Sequence, residues 1–207
     1  MLRFKRHLLL TIRTAILRWQ LIELWFRERV RRPKSQSDIT VSLTTFPGRL
    51  SQASPTIRSL LAQSCAPKQV TLVLGTDVAP GSLPTDLISL LGERFSIFWS
   101  TENLGSHNKY FDITRQDPSQ VIVTCDDDTI YDRNFVRDLW IAHRLFPEAI
   151  IPISGIQIER DQQGKRLPRS EWNKLFECPD QPRPGQMVKG EGTLYPPYAL
   201  ETALRFF

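Results

Sequence analysis

Apolar positions fall into two textures along the chain. Up to residue 30 there is neither Gly nor Pro, and Leu9, Ile12, Ile16, Trp19 and Leu24 recur at helical spacing, with Arg6, Arg13 and Arg27 among the polar positions. That pattern predicts one amphipathic helix over residues 1–30. Pro33, inside the polar run Arg31-Arg32-Pro33-Lys34-Ser35-Gln36-Ser37, makes its continuation unfavourable.

From Asp38 onward, short β-branched runs alternate with helical stretches. Ile39–Thr45, Gln69–Gly75, Phe95–Trp99 and Gln120–Cys125 read as strands. Ala149–Ile158 reads as a fifth, made irregular by Pro152 and Gly155. Helices are expected over Leu50–Gln63, Leu87–Leu91 and Asn134–Leu145. Such alternation predicts an α/β fold, a mostly parallel sheet flanked by helices, with ligands gathering at the carboxyl ends of the strands. The chain thus divides into a helix and linker, 1–34, and an α/β domain, 35–207.

Composition sets the scale. With 207 residues, 41% hydrophobic and 24% charged, there is material for one domain with a sizeable core plus an appendage. The net charge of +5 is unevenly spread. Residues 1–34 hold ten Lys/Arg and two Glu, a net of +8, so the remainder carries −3. A mildly acidic body argues against a nucleic-acid partner. The basic helix, with Trp19, Trp25 and Phe26 among its arginines, suits an anionic membrane surface, or else packing on the body or a partner protein.

No run approaches the roughly 20 apolar residues of a membrane span, and no small-residue cleavage site follows Leu8-Leu9-Leu10. Cys65, Cys125 and Cys178 form no C-x-x-C pair, which favours a reducing compartment over a zinc site or disulfide framework. The expectation is a cytoplasmic protein, peripheral at the inner face of the plasma membrane.

The sharpest chemical feature is Asp126-Asp127-Asp128, directly behind the fourth strand. Three adjacent carboxylates repel one another and call for a compensating positive charge. Oxygen ligands at this spacing suit Mn²⁺ or Mg²⁺, with a diphosphate completing the shell. In an extended segment Asp126 and Asp128 share one face and Asp127 takes the other. A solvated acidic turn is the bland alternative, and the position behind a buried apolar strand counts against it.

Val121-Ile-Val-Thr-Cys-Asp-Asp-Asp-Thr-Ile-Tyr131 resembles the strand and D-x-D motif of GT-A glycosyltransferases. Asn103-Leu-Gly-Ser-His-Asn-Lys-Tyr110 is similar to an LG-x-H-x-K segment of a bacterial family-2-like group of polysaccharide glycosyltransferases. Val41-Ser-Leu-Thr-Thr-Phe-Pro-Gly-Arg49 resembles that group's opening strand and loop, and Gly190-Glu-Gly-Thr-Leu-Tyr-Pro-Pro197 its G-x-G-x-LYPP segment. Each motif alone is weak; four in order, from about Asp38 to Tyr198, are specific.

The resemblance implies a GT-A, Rossmann-like fold and transfer of a sugar from a nucleoside-diphosphate sugar to a glycan or lipid-linked acceptor. It implies roles as well. Asp126 and Asp128 hold the metal, which stabilises the leaving diphosphate as a Lewis acid. Thr44, Thr45 and Arg49 line the nucleotide pocket, Asp77 lies near the base or ribose, and Lys109 reaches a phosphate. His107 is a candidate nucleotide contact, and Asp127 is assigned to substrate. Gly192 and Tyr195, with the prolines that follow, form a wall on the acceptor side.

An inverting transfer also needs a base for the acceptor hydroxyl. The group's expected Asp-Asp pair beyond LYPP is not found before Phe207, which leaves Glu191 as the candidate. The sequence therefore raises the expectation of an incomplete acceptor half: a truncated fragment, or a catalytically impaired nucleotide-sugar-binding protein. A phosphotransferase or nucleotidyltransferase would want a phosphate-cradling Gly-rich loop or an early Asp nucleophile, and neither is found.

Overall fold

The computed structural model describes residue 33 and residues 35–175, 186–188 and 192–206. The helix expected over residues 1–30 and the candidate Glu191 lie outside these residues.

In chain order the strands are β1 (Ser35–Gln36), β2 (Ile39–Thr45), β3 (Cys65–Ala66), β4 (Gln69–Leu74), β5 (Phe95–Trp99), β6 (Val121–Cys125), β7 (Ile151–Pro152), β8 (Gly155–Gln157), β9 (Asn173–Leu175), β10 (Gln186–Val188) and β11 (Thr193–Tyr195). The α-helices are α1 (Ala53–Leu61), α2 (Thr85–Ile88), α3 (Phe111–Gln116) and α4 (Phe135–Leu145). No helix among the described residues is long and apolar enough to cross a membrane.

The central sheet has six strands in the order β5-β4-β2-β6-β11-β7. The first four are mutually parallel, and β11 runs antiparallel to both of its neighbours. The fold is therefore α/β, a mostly parallel sheet with helices against it. Strand alternation decides what each face touches. Val41 and Leu43 of β2, Val70, Leu72 and Leu74 of β4, and Val121 and Val123 of β6 turn to one face. There they pack with Ile57 and Leu60 of α1 and Val136 and Leu139 of α4. Val73 and Ile122 turn to the other face and meet Ile113 of α3, Leu200, Phe98, Tyr110 and Tyr195. Both faces are covered, which is why β6 opens on Val121-Ile122-Val123 rather than alternating apolar with polar.

The four parallel strands fall where the residue pattern puts them. Three segments differ. The short helix expected over Leu87–Leu91 lies earlier, as α2, starting at Thr85 behind its N-cap Pro84 and ending at Ile88. The expected helix over Leu50–Gln63 begins as a 3-10 turn over Pro47–Gln52 and becomes α-helical only at Ala53. The single irregular strand expected over Ala149–Ile158 is two short ones in different sheets, since β7 closes the central sheet while β8 joins β9 and β10. Pro152 has no N–H to continue the ladder, and the chain bends at Ile153, whose N–H donates to Gly192 O at 3.0 Å.

β11 enters between β6 and β7 through a glycine. Gly192 has φ +104, and a Cβ there would lie 2.8 Å from Ile153 Cδ1 and 2.9 Å from Phe135 Cε2. Only glycine tolerates both the backbone and the crowding.

Candidate functional site

A cleft of about 330 Å³ opens at the carboxyl ends of the parallel strands. Thr44 and Thr45 end β2, Gly75 and Asp77 follow β4, Asn103, Gly105, Ser106 and Lys109 follow β5, and Asp126, Asp127 and Asp128 follow β6. Phe46 and Arg49 complete the wall from the turn after β2. Four carboxylates and two basic side chains line it, an excess of two negative charges.

Strand register explains how the Asp trio is divided. Leu43 of β2 lies opposite Cys125 of β6, so Thr45 and Asp127 stand next along the same ladder and on the same face. Thr45 Oγ1 duly donates to Asp127 Oδ2 at 2.5 Å. Arg49 Nη1 adds a bond to Asp127 Oδ1 at 3.0 Å, and Thr56 Oγ1 of α1 donates to Asp127 O at 3.0 Å. Asp127 is 7% exposed, so its charge is met inside the protein. Asp126 and Asp128 project to the opening, their side chains 35% and 45% exposed. Lys109 Nζ bonds to Asp126 Oδ1, and Arg49 Nη1 lies 2.9 Å from Asp128 Oδ2. The bond to Asp127, and the charges of Asp127 and Asp128, raise the Arg49 pKa further, so the guanidinium stays charged.

The acidic loop is stapled from beneath by polar residues of α1 and the turn after it. Thr56 takes the Asp127 carbonyl, Ser59 Oγ accepts from Tyr131 N at 3.1 Å, and Gln63 Nε2 donates to Asp132 O at 2.7 Å. Gln63 Oε1 also accepts from Val136 N at 3.0 Å. Asp126 N donates to Tyr131 Oη at 2.8 Å. Burial raises the Tyr131 phenol pKa well above its ordinary value and pushes the Cys125 thiol up to about 12, so both stay protonated beneath the loop.

Gly75 shapes the opposite wall. A Cβ on it would lie 2.9 Å from Asp77 Oδ1 and 3.2 Å from Asn103 Oδ1. Those two polar side chains can converge only because none is there.

Of the residues expected from the sequence, Thr44, Thr45, Arg49, Asp77, Lys109, Asp126, Asp127 and Asp128 are brought together in this cleft. The Thr44 hydroxyl is bonded to Val73 O at 2.7 Å, so that residue contributes shape. His107, Gly192 and Tyr195 are not among the cleft's lining residues. His107 Nδ1 is 2.8 Å from Tyr110 Oη, Gly192 directly precedes β11, and Tyr195 packs in the smaller core beside Ile122 and Tyr110.

The expectations missed Phe46, Gly75, Asn103, Gly105 and Ser106 as lining residues. They also missed Thr56, Ser59 and Gln63, although polar residues spaced by three and four along a helix were a legible signal.

Among the described residues, no three His, Cys, Asp or Glu side chains gather into a metal cage. Asp126 and Asp128 nonetheless fit a hard divalent cation. They are two partly exposed carboxylates at a cleft mouth, leaving most coordination positions for phosphate oxygens and water, as Mg²⁺ and Mn²⁺ favour.

No family model matches the sequence. No curated protein matches it. Among solved structures, the chain is similar to the mannosyltransferase PcManGT from Pyrobaculum calidifontis, in complex with GDP-Man and Mn2+, at 13% identity and a TM-score of 0.48. The match covers 89% of this chain and 53% of that one, so the chain spans about half the length of that protein.

Proposed function

We propose that the chain is a metal-dependent glycosyltransferase domain that binds a nucleoside-diphosphate sugar and passes its sugar to a glycan or lipid-linked acceptor. One observation carries the reading: Asp126 and Asp128 share a cleft with Lys109 and Arg49 at the carboxyl ends of four parallel strands. Carboxylates alone would suit a cation and basic groups alone an anion; together they suit a cation and a diphosphate side by side.

Asp126 and Asp128 would hold Mn²⁺ or Mg²⁺, which when bound offsets charge on the departing diphosphate. Lys109 would turn its ammonium to a phosphate oxygen, and Arg49 its planar fork to another. Asp77 and Asn103, drawn together over Gly75, offer an acceptor and an amide to a ribose or base. Asp127 keeps Arg49 in place. Glu191 stands as the candidate base for the acceptor hydroxyl, and the basic segment 1–30 as a dock on anionic lipid at the inner face of the plasma membrane.

The test is diphosphate release from a panel of UDP-, GDP- and dTDP-sugars, with and without glycan and lipid-linked acceptors. Release should require Mn²⁺ or Mg²⁺. Asp126→Ala should lower it about a hundredfold or more, because a dication contributes several kcal/mol to stabilising developing charge. Release indifferent to the dication, or no metal-dependent binding of any of these nucleotides, would refute the reading, whereas metal-dependent binding without release would mark the catalytically impaired alternative.

A further inference from the structure

The two basic side chains of the cleft are already committed to the carboxylates offered to a metal. Lys109 Nζ is bonded to Asp126, and Arg49 Nη1 bridges Asp128 at 2.9 Å and Asp127 at 3.0 Å. A dication arriving alone competes with both cations for the same oxygens.

The two differ in what displacement costs. Arg49, its side chain 39% exposed, keeps Asp127 and water. Lys109 is 8% exposed, so an ammonium driven off Asp126 loses its partner where water reaches it poorly, a costly state. A diphosphate changes the balance. Its oxygens give Lys109 and Arg49 new anionic acceptors just as the dication takes over Asp126 and Asp128.

Resting on the reading of this cleft as a metal-dependent nucleotide site, we propose that Lys109, assisted by Arg49, is a specificity-determining residue that makes the site accept a metal–nucleoside diphosphate complex in preference to the free dication. The two ligands then bind with positive coupling, and each raises the other's affinity by the same factor. Couplings of this kind are about 5–150-fold.

Removing the ammonium has opposite effects on the two ligands, which a merely structural lysine would not produce. With Lys109→Ala, Asp126 is free, so Mn²⁺ alone binds more tightly. The diphosphate loses a charge partner, so it binds less tightly in the presence of Mn²⁺, and the coupling shrinks towards one.

The experiment is a titration of the full chain with Mn²⁺, following the free-ion paramagnetic signal, without and with saturating UDP or GDP. Wild type should bind Mn²⁺ at least about tenfold more tightly with diphosphate. Lys109→Ala should bind Mn²⁺ alone severalfold more tightly than wild type and lose most of the nucleotide effect. Lys109→Met, which retains the apolar stem, gives the same readout should the alanine variant fail to fold.

Equal Mn²⁺ affinity with and without diphosphate in wild type overturns the proposal and, because the coupling is reciprocal, the functional reading with it. A folded Lys109 variant whose affinity for Mn²⁺ alone is unchanged or weaker overturns the proposal alone. Binding of no Mn²⁺ under either condition overturns instead the functional reading beneath it.

Discussion

Single residues set the tolerances of the fold, and Gly192, just before β11, is one that admits no side chain. Its positive φ and the 2.8 Å approach to Ile153 act together, so Gly192→Ala must both strain the backbone and push core atoms aside. We expect a loss of about 3 kcal/mol, the sum of a left-handed penalty and overpacking, read as a shift in urea midpoint at unchanged m-value. Cys125 gives a second test. Burial raises its thiol from an ordinary 9.0 to about 12, favouring the protonated form in the folded state. The stability tied to that proton is full below pH 9 and falls as pH rises from 9 towards 12. At pH 8 a thiol reagent should spare Cys125 in the native chain and modify it after unfolding, as peptide mass mapping would report. The glycine was legible in the sequence only as part of a motif. The thiol's environment was not, because burial in the tertiary core and the approach of Tyr131 and Lys109 set it.

At the scale of elements, the pairing of helix α1 with the loop after β6 holds the acidic residues at the cleft. Gln63, 1% exposed, binds Asp132 O and Val136 N at once. Gln63→Leu conserves volume roughly but strands the Val136 N–H, while Asp132 O keeps only its bond from Phe135 N, and should cost about 2 kcal/mol in urea unfolding. It should also weaken metal-dependent nucleotide binding, because the loop it releases carries Asp126 to Asp128. Asp127→Asn should leave dication dependence in place while weakening nucleotide binding, and adding Arg49→Ala should weaken it little further, because one interaction is lost in both cases. A titration in which Asp127→Asn abolishes dication dependence would show that Asp127 is itself a ligand. The parallel strands were legible because β-branched and aromatic residues dominate them, as in Ile39–Thr45 and Val121–Cys125. β11 was not: its three residues pair antiparallel with β6 by virtue of tertiary insertion between β6 and β7, and no periodicity marks so short a strand.

At the scale of the whole molecule, charge is segregated, with +8 in residues 1–34 and −3 in the rest. We propose that this segregation delivers the domain to an anionic surface. The full chain should sediment with phosphatidylserine vesicles at low salt and release as ionic strength rises, since the Debye length shortens from about 30 Å at 0.01 M to about 10 Å at 0.1 M. Sedimentation that ignores salt and lipid charge would favour packing of residues 1–30 on protein instead. Whether the cleft holds a diphosphate through a dication is read by calorimetric titration with UDP and GDP, with and without Mn²⁺. Wild type should bind one or both diphosphates at least about tenfold more tightly with Mn²⁺, and Asp126→Ala and Asp128→Ala should each remove that gain. Equal diphosphate affinity with and without Mn²⁺ in wild type would rule out a metal-dependent nucleotide site in this cleft.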